Sequence, residues 1–128
     1  MPTFASTILA NAAGANTTFN PSEKTGNGSV YVYRTNEADP VLRKSISVSR
    51  SPAKSGNDIE RIKVRIIVPA QVADANGLIK TFQAVANLEF VLPGALQATT
   101  RGDLRAFAAA WMNTTAALAT IKDGESIY

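Results

Sequence analysis

The stretch Ile59-Glu60-Arg61-Ile62-Lys63-Val64-Arg65-Ile66 alternates with a period of two residues, and that alternation decides how the rest of the chain is read. Successive side chains of a strand point to opposite faces, so Arg61, Lys63 and Arg65 share one face while Ile62, Val64 and Ile66 share the other. One face is cationic and the other forms core. A strand that only covered a core would need an outer face that is merely polar, whereas consecutive cations suit a face that meets a polyanion. The same row would also serve as a solvated edge that discourages aggregation.

Upstream, Val41 to Arg50 reads as a strand that sets Ile46 and Val48 against Ser45, Ser47 and Ser49. The connection Ser51-Pro52-Ala53-Lys54-Ser55-Gly56-Asn57-Asp58 suits an antiparallel pair, which puts the serine row beside the cation row. Downstream, Pro69 closes the basic strand, and a loop from Ala70 to Leu78 carries Asn76-Gly77, two residues that tolerate positive φ. The next strand runs from about Ile79 to Leu92. It opposes Phe82, Ala84, Ala86, Leu88, Phe90 and Leu92 to a row containing Val85, Asn87 and Glu89. The two alanines would let another element approach the apolar face closely.

Pro93-Gly94 ends the strands, and the period then becomes helical. Thr100 is the expected N-cap with Asp103 three residues on, and Leu104, Phe107, Ala108 and Trp111 make one apolar stripe expected to be buried. A second helix is expected over Thr115 to Lys122, stopped by Asp123-Gly124. In the first half, turn-rich clusters at Asn11 to Asn16, Asn20 to Ser29 and Asn36 to Pro40 separate short strands at Phe4 to Ala10, Thr17 to Asn20 and Val30 to Arg34. Strands first and helices last predict an α+β fold in one domain spanning 1–128, with strands to about 95 and helices over about 99–122. The helical segment is short beside a wide sheet, so part of the apolar face needs a partner chain, and a homodimer is the simplest one.

At 128 residues with 45% hydrophobic content the chain is long enough to bury a core, and its net charge of +3 fits an anionic partner without requiring one. It has no cysteine and no histidine. That removes disulfides, a thiol nucleophile, the commonest zinc ligands and the usual general base near neutral pH. No enzyme activity, cofactor, metal or small-molecule substrate is therefore expected. Thr3 to Ala10 lacks the cationic start of a secretory signal, since the first cation is Lys24, and reads as a strand. No apolar run is long enough for a membrane helix, and no membrane partner is expected.

From Val41 onward the serine-alternating strand, the segment IKVRIIVP, the loop 70–78, the segment NLEFVLP, two helices and the ending ESIY follow one another in an order that resembles the coat proteins of single-stranded RNA bacteriophages. The resemblance implies an N-terminal β-hairpin, a five-stranded antiparallel sheet and two C-terminal helices that interlock in a homodimer. It implies further that dimers build an icosahedral capsid in the host cytoplasm and that the virion encloses the genome. The inner sheet face would bind single-stranded genomic RNA, including a stem-loop whose binding represses replicase translation.

Carried over by position, the RNA face comprises Ser45, Ser47, Ser49, Arg61, Lys63, Arg65, Val85, Asn87 and Glu89, with Lys54 and Asn57 as weaker candidates. The cations would hold phosphates, the serines would donate to phosphates or base edges, and Asn87 and Glu89 would contact base or ribose. Related proteins often carry a tyrosine where Val85 stands, and valine offers no platform for stacking a base.

Other readings of these residues remain open at the level of sequence. The serines suit a solvated strand face, and Asn87 and Glu89 suit cross-strand partners of Arg65 or Lys63. A dimeric RNA-binding regulator without a shell would carry the same sheet. A Ser/Lys enzyme would need a serine in a strained turn beside a desolvated lysine, which no segment suggests. A pilus-like subunit is disfavoured by the cationic face. Gly26-Asn27-Gly28 is a turn and not a phosphate loop, and Asp39, Asp58, Glu60 and Asp74 have no metal-site spacing.

Overall fold

The computed structural model describes residues 4–25, 30–51 and 59–124. These divide near Val91 and Leu92 into two compact units, a sheet unit and a helical unit. The sheet unit holds β1 (Thr7–Ala10), β2 (Asn16–Thr25), β3 (Val30–Arg34), β4 (Ser45–Ser51), β5 (Ile59–Ala73) and β6 (Ile79–Pro93), arranged in chain order as one six-stranded sheet. The expected count was a hairpin plus five strands. The difference arises because the inner hairpin strand does not stop at Asn20: β2 pairs β1 through Phe19 and then pairs β3 through Thr25. Pro21 lies where the register shifts, and the extra residue, Ser22, is accommodated as a bulge.

The β3, β4 and β5 ladders are antiparallel and regular. Arg34 faces Ser45, Ser47 lies between Val32 and Arg65, and Ser49 lies between Val30 and Lys63. The serine row therefore adjoins the cation row, as the alternation predicts. On the opposite face Ile46, Val48, Ile62, Val64 and Ile66 join Tyr31 and Tyr33. Phe4 sets its ring edge-on to both tyrosines, with centroids 5.9 Å and 5.2 Å away. Burial, with Tyr33 as its neighbour, pushes the Tyr31 hydroxyl above its ordinary pKa.

Several boundaries differ from the sequence reading for local reasons. The strand expected from Val41 begins only at Ser45, because Asp39 accepts from Val41 N and starts a 3-10 turn at Pro40–Leu42. Thr35 then closes the connection: its N–H donates to Lys44 O (3.0 Å) and its buried hydroxyl accepts from Lys44 N (2.9 Å). β5 continues past Pro69 to Ala73. Proline is tolerated there because the β4 ladder ends at Ile67, so no β4 partner needs its missing N–H.

The loop 70–78 thus shrinks to a tight turn organised by Asp74 rather than by Asn76-Gly77 alone. The Asp74 carboxylate accepts from Asn76 N and Leu78 N, each at 2.9 Å, and Asp74 N donates to Leu78 O at 2.8 Å. The β1–β2 turn repeats the design. Asn11 Oδ1 accepts from Ala13 N and Ala15 N, Asn11 N donates to Ala15 O, and the fourth residue of each turn is a glycine with positive φ, 81° at Gly14 and 79° at Gly77.

In the helical unit α1 (Ala98–Met112) starts two residues before Thr100, with Gln97 at its N-cap. The turn at Pro93, where Leu96 N donates to Pro93 O (3.1 Å), delivers the chain directly into the first helical turn, so no side-chain cap is used. Thr114 caps α2 (Thr115–Leu118) by accepting from Ala117 N, and a π turn over Ala119–Asp123 ends at Gly124 in the left-handed region. Asp123-Gly124 stops the helix as expected.

Little of this chain is core by itself. Among the described residues the buried apolar side chains are Phe19, Pro69, Leu92 and Ala117. The stripe expected to be buried is open, with Phe107 72% and Trp111 49% exposed, and Phe82 on the apolar sheet face is 58% exposed.

The Asp74 turn carries a direct test. Nothing lies within 4 Å of a Cβ added at Gly77, so Gly77→Val is expected to act through backbone strain alone, at roughly 1–2 kcal/mol for the left-handed conformation. Asp74→Ala is expected to remove about 1 kcal/mol by orphaning two turn amides. Urea unfolding of the two variants measures both; an unchanged midpoint for either would contradict this account of the turn.

Candidate nucleic-acid interface

The candidate site lies on the face that β3, β4 and β5 share with one side of β6. Ser45, Ser47 and Ser49 are half-buried between the β3 and β5 ladders, whereas Arg61, Lys63 and Arg65 stand exposed. Arg61 Nη1 donates to Glu89 Oε1 at 3.1 Å, which brings β6 onto the cationic face. Alternation along β6 then puts Asn87 and Val85 on that face too, and both are exposed. The nine residues singled out from sequence therefore share one surface.

Their roles within that surface are unequal. The sequence offered Glu89 a cross-strand cation at Arg65 or Lys63, but the partner is Arg61, because β6 meets β5 in a register that sequence does not reveal. Among the described residues neither Lys63 nor Arg65 has a carboxylate within ion-pairing distance. Their charges are the unneutralised ones. Val85 is 42% exposed and brings an aliphatic surface, not an aromatic one, to the edge strand of the face. Lys54 and Asn57 lie outside the described residues, as do Gly26-Asn27-Gly28, Asp58 and the ending ESIY.

The structure adds a cation that the sequence reading missed. Arg34 is on the same face through its register with Ser45, and its Nη1 donates to Glu23 Oε1 (2.8 Å) and to Ser22 Oγ. The bulge makes this double grip possible, because the extra residue lets consecutive side chains of β2 reach one guanidinium. Only a proline within an otherwise extended run hinted at such an irregularity.

Among the described residues no group of acidic side chains could hold a metal ion, and no helix is long and apolar enough to cross a membrane. The chemistry on the cationic face is that of charge and hydrogen-bond donors: guanidinium, ammonium, hydroxyl and carboxamide groups presented on a rigid sheet.

Comparison with known proteins gives a family-level match. The family model described as levivirus coat protein matches residues 2–128. The fold is similar to the virus-like particle of Beihai levi-like virus 21, with TM-score 0.86, 16% identity and 99% of each chain covered. It is similar also to the virus-like particle of bacteriophage ESE058, with TM-score 0.83, 23% identity, and 99% of this chain and 100% of the other covered. An unassembled virus coat protein dimer, a bacteriophage RNA-binding dimer, matches with TM-score 0.69, 17% identity and 99% coverage of both chains. A comparison with curated proteins found no match.

The Arg61–Glu89 pair is half-exposed on both sides, 50% and 45%, so water and salt screen it. A double-mutant cycle with Arg61→Gln and Glu89→Gln is expected to give a coupling of about 0.2–1 kcal/mol that fades as salt is added. A coupling that persists in high salt would mean that the pair is sheltered and supports the sheet.

Proposed function

The chain belongs to the levivirus coat protein family and is a capsid subunit, and we propose that it works as an obligate dimer whose cationic sheet face holds single-stranded genomic RNA inside the shell. The observation that carries this reading is the division of labour across the sheet. One face presents the serine row beside Lys63 and Arg65, which lack acidic partners among the described residues. The other carries the apolar residues of β4, β5 and β6, as an antiparallel sheet that is wet on one side requires.

On this reading Lys63 and Arg65 neutralise backbone phosphates, Ser45, Ser47 and Ser49 donate to phosphates or base edges, and Asn87 reads a base or ribose. Arg61 joins the phosphate row only when a phosphate displaces Glu89, so Glu89 orients a cation as well as facing the RNA. Recognition of a stem-loop, and repression of replicase translation through it, would follow from Asn87 with little help from Val85. The C-terminal helices interlock across the dimer, and assembly takes place in the bacterial cytoplasm.

Self-association is tested by expressing the protein in bacteria, imaging the product by electron microscopy and comparing its absorbance at 260 and 280 nm. Particles containing nucleic acid are expected, and after dissociation the smallest folded species in analytical ultracentrifugation is a dimer, because Phe82, Leu104, Phe107 and Trp111 stay exposed in one chain. A folded monomer at micromolar concentration would refute the dimer.

RNA binding is tested by filter binding across a salt series. Lys63→Ala is expected to weaken all RNAs alike and to lower the slope of log affinity against log salt by about 0.7 to 0.9. Asn87→Ala should cost the preferred RNA roughly 1–3 kcal/mol, by analogy with groove readout, and leave the slope alone. Glu89→Gln releases Arg61 and should strengthen binding and steepen the slope, and Val85→Tyr should sharpen discrimination between stem-loop and random RNA. If Lys63→Ala changes neither affinity nor slope, the sheet face does not bind RNA.

A further inference from the structure

Beside the serine row, between the bulge of β2 and the point where β3 leaves the sheet for the 3-10 turn, Asn20, Pro21, Ser22, Arg34, Asn36 and Arg43 line an open concavity of about 160 Å3 together with the buried Thr35. It brings guanidinium groups from two separate segments to one polar recess. Both are held in place by one part of the fork and left free at the other. Arg34 spends Nη1 on Ser22 and Glu23, and Arg43 donates Nε to the Glu37 carbonyl at 3.0 Å. Among the described residues this leaves Nε and Nη2 of Arg34 and both terminal nitrogens of Arg43 without a protein acceptor. A guanidinium presents its donors in a rigid plane, so fixing one edge aims the rest.

We propose that this recess is a phosphate-binding pocket, which takes a backbone phosphate of the RNA strand as it runs off the serine row. The assignment rests on the reading that the cationic sheet face binds RNA, and it extends that footprint to residues that neither alternation nor motif picks out. Geometry supplies the continuity: Arg34 is the ladder partner of Ser45, the last serine of the row. Charge supplies the sign. Glu23 offsets Arg34, and Arg43 has no carboxylate partner among the described residues, so the recess keeps a net positive charge. Asn20 accepts from Ser6 through Oδ1 at 3.0 Å, which leaves its amide nitrogen as a further donor. A phosphodiester, with several acceptor oxygens and one charge, matches a recess lined by donors and carrying one uncompensated cation. The paired forks favour phosphate over a base edge, since two cations and their in-plane donors match an anionic group with several acceptor oxygens.

The test measures binding of the full chain to a short and a long oligouridylate across a salt series, with Lys63→Ala as the reference variant. Arg43→Gln is expected to weaken the long oligomer about fivefold at 0.1 M salt and to lower its salt slope by about 0.7, the effect of one lost phosphate contact on a single strand. The short oligomer, which the serine and cation rows accommodate by themselves, should bind Arg43→Gln normally. Arg43→Lys should restore the slope but only part of the affinity, since an ammonium keeps the charge without the fork; this rescue also separates a lost contact from a damaged fold. If Lys63→Ala weakens binding and Arg43→Gln leaves the long oligomer unaffected, the pocket assignment is overturned and the sheet face stands. If neither variant has an effect, both fall. A loss confined to one RNA sequence would overturn the phosphate chemistry in favour of base reading.

Discussion

An antiparallel sheet may leave one face in water only if the other is taken out of it, and the present chain meets half of that condition. Its β4 and β5 ladders put Ile46, Val48, Ile62, Val64 and Ile66 on one side, and β6 adds Phe82 and its neighbours. Yet burial is confined, among the described apolar residues, to Phe19, Pro69, Leu92 and Ala117, and no large side chain among them is fully buried. Burying a large apolar side chain is worth roughly 1.5–3 kcal/mol, so leaving Phe82, Phe107 and Trp111 exposed forfeits a sum comparable with the whole stability of a small domain. The sheet can keep its polar face in this form only if the apolar face is covered, which is what the proposed dimer would supply. In the proposed obligate dimer folding and association would be one process, and the cationic face, freed from any duty in the core, can be given over to charge.

Alternation was the most legible signal. A two-residue period needs no knowledge of distant contacts, so the faces of β4, β5 and β6 and the adjacency of serines to cations could be read directly. The turns were legible in part. Asn76-Gly77 marked the place, but the organising residue is Asp74, whose carboxylate collects two amides, and Asn11 does the same at the other hairpin. An Asx residue three positions before a glycine is a sequence pattern, and here it marks two turns of the same build.

What the sequence withheld was mostly tertiary. Nothing in the chain says that Glu89 meets Arg61 and not Lys63, because inter-strand register depends on the whole ladder. Nor could composition show that Ser22 would be extruded beside Pro21 so that it and Glu23 hold Arg34 together. The helical stripe was legible as a stripe, and in the single chain it stays open, with Phe107 and Trp111 exposed. Periodicity reveals which side chains share a face; it does not reveal which molecule covers them.

The strand order has a bearing on how the protein comes into being. Every strand lies next to its neighbour in sequence, so the sheet can zip hairpin by hairpin without closing a long loop, and contacts between nearby residues form quickly. Synthesis proceeds from the N-terminus, and so β1 to β6 emerge before α1 and α2. Until the second chain of the proposed dimer arrives, the nascent sheet has an apolar side and no cover. The rate of subunit encounter, and with it the level of expression, should therefore govern how much of the product assembles and how much is lost to aggregation.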